Sequence, residues 1–411
     1  MAFLPHTKRE KKILVILLLL LVYIGVEIKV GAKYAAKRDT EFRAFRWDSQ
    51  TLWRLKSSYK GETFGQKVET NSTGLRGTRE YSLVPSHALR IVTLGDSRTY
   101  GYAVGHEETY SAVLEASLRA WGVDAEVLNA GTHGYSAVQC RARLEQMLAY
   151  QPDLVVFAPG FNDRRYLVCR PEDSDASFRS IARLRSFSDI LQISNVCFAI
   201  FFEIGSRKLA ELTSHPPPLD QVPLRTSEIA FLRELEKTAQ ICRDHQVQLV
   251  YLWIPQDPRT YDFVETMRQL HENGDTREVI RRMETACNML PNYARNLCRY
   301  TLGQYYLEIG EEEKARTVLA DHRPSGSIFG ESVLRSERIY LNLFKQAAEE
   351  YSVPMVDGRE AIVGTLPDAD AEDVFRRSFV DDCHYTAEAH RFIGAALAQQ
   401  ILSLHLEAKA N

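Results

Sequence analysis

Arg90-Ile91-Val92-Thr93-Leu94-Gly95-Asp96-Ser97 joins a short apolar run to a glycine, a carboxylate and a hydroxyl. The run reads as a buried β-strand, which places Ser97 at the carboxyl end, where open α/β sheets gather their sites. Four further segments have the same character: Ala125 to Gly131, Asp153 to Gly160, Val247 to Pro255 and Val353 to Gly358. Helix-length stretches separate them. Glu108 to Trp121 carries Tyr110, Val113, Leu114 and Leu118 at helical spacing before Gly122, and Ser136 to Tyr150 supplies the next crossover. Phe231 to His245 precedes the fourth strand, and Glu388 to Leu404 closes the region. This alternation predicts an α/β fold with a five-stranded parallel sheet covered by helices on both faces.

Near the C-terminus stands Asp381-Asp382-Cys383-His384. A serine hydroxyl is a weak nucleophile near neutral pH until a hydrogen-bonded base takes its proton, and His384 is the candidate base for Ser97. Asp381, three residues earlier, can accept a hydrogen bond from one imidazole nitrogen while the other faces Ser97. Asp382 is ranked below it because adjacent side chains diverge. Attack on an acyl carbon creates an oxyanion, and the candidate donors are the backbone N–H groups of Ser97 and Gly131 and the side-chain amide of Asn162. Gly131 and Asn162 follow the second and third strands, so they should meet Ser97 along one edge.

Taken in order, Gly95-Asp96-Ser97, Gly131 within Asn129-Ala130-Gly131-Thr132-His133-Gly134-Tyr135, Gly160-Phe161-Asn162-Asp163 and Asp381 with His384 resemble the four sequence blocks of the SGNH hydrolases, or GDSL lipase/esterase family. The resemblance runs from about Leu89 to Leu404, two insertions excepted. It implies a flavodoxin-like three-layer α/β/α sandwich, with Ser97 as nucleophile, His384 as base, Asp381 as its orienter, and Gly131 and Asn162 in the oxyanion hole. It implies no metal and no cofactor, an acyl-serine intermediate and an ester substrate. Asp96 in such proteins supports the turn. Asn71-Ser72-Thr73-Gly74-Leu75-Arg76 resembles a segment that precedes the first block in membrane-anchored bacterial members, some of which act on O-acetyl groups of cell-surface polysaccharides. The substrate this implies is a small acyl ester, acetyl foremost, on a carbohydrate, with a lipid ester as the other candidate. An O-acyltransferase would use the same triad, and a non-catalytic interaction protein is the reading from another class. Arg98, directly after the nucleophile, departs from the common pattern. It is a candidate substrate contact, as is Arg76, or else it pairs with Asp163 or Glu107. Cys383 reads as a small buried thiol, and His87, His106 and His133, which lack metal-ligand spacing, as surface or loop residues.

With 45% hydrophobic residues, 411 residues can bury a substantial core, and a formal charge of -3 gives no reason to invoke nucleic acid. Lys8, Arg9, Lys11 and Lys12 precede an apolar run from Ile13 to Val26 that spans a bilayer if Glu27 and Lys29 reach the interface. It is an anchor or a secretory signal with Val30-Gly31-Ala32 as the cleavage point, and the basic residues that follow favour the anchor. The expected location is the bacterial inner membrane, single-pass, with the catalytic domain periplasmic. The seven cysteines show no zinc spacing and read as dispersed buried thiols, with Cys287 and Cys298 the pair that could oxidise.

The expected division is a basic tail over 1–12, an anchor over 13–30, a linker and cover segment over 31–88, a hydrolase domain over 89–256 and 336–405, and a helical insertion over 257–335. Within the insertion, Arg299 to Ala320 resembles one tetratricopeptide repeat, with Leu302, Gly303, Tyr306 and Leu307 on a first helix, a turn at Gly310, and Ala315 and Leu319 on a second. Phe263 to Leu290, broken at Asn273-Gly274, suggests a preceding hairpin. A protein partner would bind there. The other insertion, Arg164 to Thr226, contains Pro216-Pro217-Pro218 and is expected over the carboxyl edge of the sheet.

Overall fold

Alternate residues of the central strands enter two different cores. Val92, Leu94, Val155, Phe157, Leu249 and Tyr251 face one, and Ile91, Leu154, Val156, Val250 and Leu252 face the other. A strand buried on both sides needs apolar residues at every position, which is why these segments read as continuous apolar runs. The structure is a computed structural model of the chain. It describes residues 8–39, 44–63, 66–85, 88–164, 224–286, 292–320, 324–364 and 371–410, with isolated positions between 196 and 207.

Two small antiparallel hairpins come first: β1 (Phe45–Asp48) with β2 (Leu52–Leu55), and β3 (Lys60–Thr63) with β4 (Gln66–Glu69). The main sheet contains β5 (Leu89–Gly95), β6 (Ala125–Asn129), β7 (Leu154–Ala158), β8 (Gln248–Trp253) and β9 (Met355–Asp357). All its pairings are parallel, in the order β6-β5-β7-β8-β9. This is the flavodoxin-like order, and its direction reverses between β5 and β7, the strands that lead to Ser97 and Asn162.

Helix α1 (Lys8–Asp39) precedes the hairpins, and α2 (Ser97–Tyr100) follows β5. One face of the sheet is covered by α3 (Tyr110–Ala120) and the other by α4 (Ala137–Met147) and α5 (Glu228–Asp244). Their starts are capped: the side chains of Thr109, Ser136 and Ser227 accept hydrogen bonds from first-turn N–H groups.

After β8 the chain leaves the sheet in two helical hairpins. The helices are α6 (Pro258–Glu272), α7 (Thr276–Ala286), α8 (Asn292–Glu308) and α9 (Glu312–Ala320). Their turns use Gly274 and Gly310 at positive φ. Met267, Val279, Met283, Leu302, Tyr306 and Ala315 form a core of their own. Helix α10 (Pro324–Tyr351) then returns without a break through residue 335. Its later turns, with Tyr340, Phe344 and Ala347, pack in the same core as α5. After β9 come α11 (Gly358–Gly364), α12 (Ala371–Ser378) and α13 (Ala387–Ala410), which join α3 on the other face.

Leu14–Lys33 of α1 has a mean hydropathy of 2.4 and no buried residue, the one such stretch among the described residues. Cys298 is disulfide-bonded, contrary to the expectation of dispersed thiols, while Cys140, Cys242 and Cys383 are buried outside any disulfide. Cys169, Cys197, Cys287, His87 and most of the insertion from Arg164 to Thr226, including its proline run, lie outside the described residues.

Candidate active site

Gly95 ends β5, and Asp96 turns the chain into α2. The Asp96 carboxylate accepts the N–H of Arg98 at 2.9 Å, an N-cap that fixes the short helix on which Ser97 is the first residue. A Cβ on Gly95 would lie 2.0 Å from Thr99 Oγ1 and 2.9 Å from the Ala158 carbonyl, so the turn is tight enough to require glycine. Ser97 reaches His384, which the loop before α13 contributes. His384 Nε2 is 2.8 Å from Ser97 Oγ, and His384 Nδ1 is 2.6 Å from Asp381 Oδ2. The other oxygen of Asp381 accepts the N–H groups of Cys383 at 3.0 Å and His384 at 2.8 Å. Burial works against ionisation of Asp381, but the hydrogen bond and charge of His384 and the two backbone N–H groups outweigh it and hold the carboxyl down at about 2. The sequence left Asp382 as an alternative; Asp381 is the residue at the imidazole.

Gly131 borders the short helix that begins at Ser97, and Asn162 follows β7. A Cβ on Gly131 would lie 2.4 Å from the Tyr100 nitrogen and 2.7 Å from the Thr99 carbonyl carbon, so only glycine lets the loop after β6 pass α2. The Gly131 N–H donates to Asn129 Oδ1 at 3.0 Å, while Asn129 Nδ2 donates to the Thr99 carbonyl at 2.9 Å. The expected oxyanion donor is therefore already engaged, and Asn129 is the residue that pins the loop to the helix. Asn162 Nδ2 donates to the Tyr135 carbonyl at 3.2 Å, which uses one of its two hydrogens and leaves the amide oriented. Asp163 accepts from the N–H groups of Ala137 at 2.8 Å and Gly160 at 3.0 Å, tying the loop after β7 to the start of α4.

Both arginines expected to touch substrate face inward. Arg98 is 1% exposed and grips both oxygens of Asp96, at 3.0 and 2.8 Å, and the Ile254 carbonyl at 2.5 Å. Burial opposes its charge, and the Asp96 carboxylate more than offsets it and raises its pKa. Its partner is thus Asp96, neither Asp163 nor Glu107. Arg76 is 2% exposed, donates to the Val104 carbonyl at 2.8 Å, and stands 4.2 Å from the centre of the Tyr100 ring. Its Nε and Nη1 are buried without hydrogen-bond partners, and burial lowers its pKa. Neither guanidinium presents a surface to a ligand.

A ring cluster went unread in the sequence. His133, read as a surface or loop residue, lies in the loop after β6 but is half-buried, 4.2 Å from the Tyr100 ring and 5.7 Å from those of Phe45 and Tyr102. Tyr102 in turn lies 4.0 Å from the ring of His384. The N-terminal hairpins close over this cluster: Trp53 Nε1 donates to the His133 carbonyl at 2.8 Å, and Tyr135 Oη donates to the Trp53 carbonyl at 2.6 Å. No spacing rule connects Phe45, Tyr102, His133 and His384, so only the fold could bring them together.

A model of the GDSL-like lipase/acylhydrolase family matches residues 93–392, well over half of the chain, from within β5 to within α13. The chain belongs to this family. The GDSL-like hydrolase thus acts on ester bonds, and its matched span contains each of the residues just described except Arg76 and the hairpins. No curated protein matches it. Among solved structures it is similar to an acetylxylan esterase of Geobacillus stearothermophilus, at 14% identity over 78% of this chain and 96% of that one, with a TM-score of 0.37. It is also similar to the psychrotrophic esterase EstA of Pseudoalteromonas sp., at 13% identity over 77% and 98% with a TM-score of 0.32. A lipase/acylhydrolase of Enterococcus faecalis matches at 13% identity over 76% and 94%, with a TM-score of 0.36.

Proposed function

We propose that the protein is a serine esterase in which Ser97 attacks the ester carbonyl, His384 is the general base and then the general acid, and Asp381 orients the imidazole. The observation that carries this is the unbroken relay from Ser97 Oγ through both nitrogens of His384 to Asp381, with gaps of 2.8 and 2.6 Å. The Ser97 proton passes to Nε2 as the Oγ–acyl bond forms. The tetrahedral intermediate collapses to an acyl-serine as His384 returns the proton to the departing alcohol, and water reverses the sequence. The Ser97 N–H, which has no acceptor within the first helical turn, and the second amide hydrogen of Asn162 are the oxyanion donors this arrangement supports best. Gly131 joins them only if Asn129 releases its N–H.

The acyl group we assign is small, acetyl foremost, carried on a cell-surface carbohydrate. Ser97 is 6% and Asn162 4% exposed, an enclosure that suits a short acyl group. The resemblance to membrane-anchored members acting on O-acetyl groups points the same way. We place the enzyme as a single-pass inner-membrane protein with its catalytic domain periplasmic. Twenty helical residues rise about 30 Å, the thickness of a hydrocarbon core, and Leu14–Lys33 supplies that length. The disulfide at Cys298 fits an oxidising compartment.

Treatment of the protein with a fluorophosphonate, followed by peptide mass mapping, tests the nucleophile. One adduct on Ser97, absent in Ser97→Ala, is the expected result, and a folded protein that takes up no label would sink the reading. Release of acetate from acetylated sugars by the wild type, but not by Ser97→Ala, tests the substrate class.

A further inference from the structure

We propose that Tyr102 is a positioning residue that stabilises the protonated imidazole of His384 during turnover. The inference rests on His384 being the base. Tyr102 lies 4.0 Å from the His384 ring, centre to centre, with the planes 30° apart, so the rings overlap face to face rather than edge to face. Asp381 and Ser97 occupy the two nitrogen edges of the imidazole. Among the described residues, Tyr102 supplies the ring contact on its face. When Ser97 transfers its proton to Nε2, positive charge spreads over the whole imidazolium ring. The π-face of a tyrosine within about 6 Å attracts such a cation and does little for the neutral ring. The contact therefore strengthens in the transition state, where it accelerates the reaction.

The backbone around Tyr102 is built to hold it there. Gly101 ends α2 in the left-handed region with φ 83°, and Ala103 follows at φ 66°, a conformation unfavourable to a residue with a side chain. The N–H groups of Gly101 and Tyr102 both donate to the carbonyl of Ser97, at 3.1 and 3.0 Å, so the nucleophile's own residue anchors the turn. His133 backs the tyrosine at 5.7 Å, nearly edge-on at 79°.

The titratable groups that face His384 come from four places. Asp381 and Cys383, whose sulfur is 3.6 Å from Nδ1, belong to its own loop. Ser97 and Tyr102 belong to the segment after β5, while His133 from the loop after β6 and His390 from α13 are electrostatically coupled to it. Burial lowers the pKa of both His133 and His390, so they stay neutral near neutral pH and add no cation that would mask the effect of Tyr102.

The test uses the full-length protein in detergent, p-nitrophenyl acetate as substrate and a profile of kcat/KM from pH 5 to 9. Tyr102→Leu should lower kcat roughly 2- to 30-fold, the range of a cation–π contact, and move the acid limb of the profile to lower pH, because the protonated imidazole loses its partner. Tyr102→Phe, which keeps the ring, should restore both. If Tyr102→Leu does not fold, phenylalanines at position 102 with increasing fluorination keep the shape and weaken the π-face, and kcat should fall stepwise along the series. An unchanged acid limb and kcat in Tyr102→Leu, a loss in Tyr102→Phe equal to that in Tyr102→Leu, or a flat fluorination series would each overturn the role of Tyr102. A wild type without Ser97-dependent turnover would instead overturn the assignment of Ser97 and His384.

Discussion

Asp381 does two jobs with two oxygens: one meets His384 Nδ1, and the other holds the N–H groups of Cys383 and His384, so the loop that carries His384 is folded around the carboxylate at its imidazole. Replacing it with asparagine leaves the shape but lets the amide favour the wrong imidazole tautomer, and kcat for a p-nitrophenyl ester should fall on the order of 10³- to 10⁴-fold. The same contacts link the residue to stability. Its carboxyl is held at about 2, against about 3.9 in an unfolded chain. A depressed carboxyl stabilises the fold fully above the unfolded value and loses that contribution as pH falls through the folded one. The wild type should thus exceed Asp381→Asn in Tm at pH 6, and the gap should narrow as the scans are repeated toward pH 2. Asn162 is the side-chain oxyanion donor in the proposed mechanism. Asn162→Ala removes an oxyanion donor and should cost about 10²- to 10³-fold in kcat with little change in KM.

The elements that carry these residues differ in how plainly they announce themselves. The five sheet strands, with their crossover helices, were legible because burial on both faces demands unbroken apolar runs, and Val92, Val155 and Val250 each sit in such a run. The two N-terminal hairpins were not. Their strands are four residues long and mix Arg54, Lys60, Glu62 and Lys67 with the few side chains that pack, so no period shows. The meeting of Ser97, His384 and Asp381 was legible because their order along the chain matches a family pattern, and the inward turn of Arg98 and Arg76 was not, because a charge beside a motif does not reveal which way it points. Arg98 turns inward to lock Asp96, the residue that starts α2. Asp96→Asn keeps an oxygen for the cap but leaves the Arg98 guanidinium buried without its carboxylate, and urea unfolding should show a loss of about 3–5 kcal/mol. Gly131 governs the fit of the loop after β6 against the same helix. Gly131→Ala forces a Cβ onto the backbone of Thr99 and Tyr100, at 2.7 and 2.4 Å, so α2 must move and Ser97 with it. Labelling of Ser97 by fluorophosphonate should slow at least tenfold, an order-of-magnitude expectation for a misplaced nucleophile.

At the scale of the whole molecule, the catalytic sandwich sits between two additions that meet it in different ways. The helical hairpins from Pro258 to Ala320 keep a core of their own and return to the sandwich through the long helix α10, whose Tyr340 and Phe344 belong to the main core. The N-terminal segment does the reverse: its hairpins have little core of their own and borrow Tyr100 from the nucleophile's helix. Phe45 then touches His133, and Trp53 donates to the carbonyl of the same residue. The apolar helix and the hairpins over the candidate site are therefore close neighbours in sequence, separated by residues 40–43 between the end of α1 and Ala44. That junction makes two truncations informative. Removal of residues 1–39 takes away the apolar helix and keeps Ala44 and both hairpins, so under the proposed anchoring the product should leave the membrane fraction and keep kcat on p-nitrophenyl acetate within about twofold, as expected of a change away from the core. Removal of residues 1–57 also strips Phe45, Trp53 and Leu55 from the core they share with Tyr100, and the hydrogen bonds that Trp53 makes to the loop after β6. That protein should lose at least tenfold in kcat, because the loop that packs against the nucleophile's helix is then held from one side only. Equal activity in the two truncations would mean that the hairpins cover the site without shaping it.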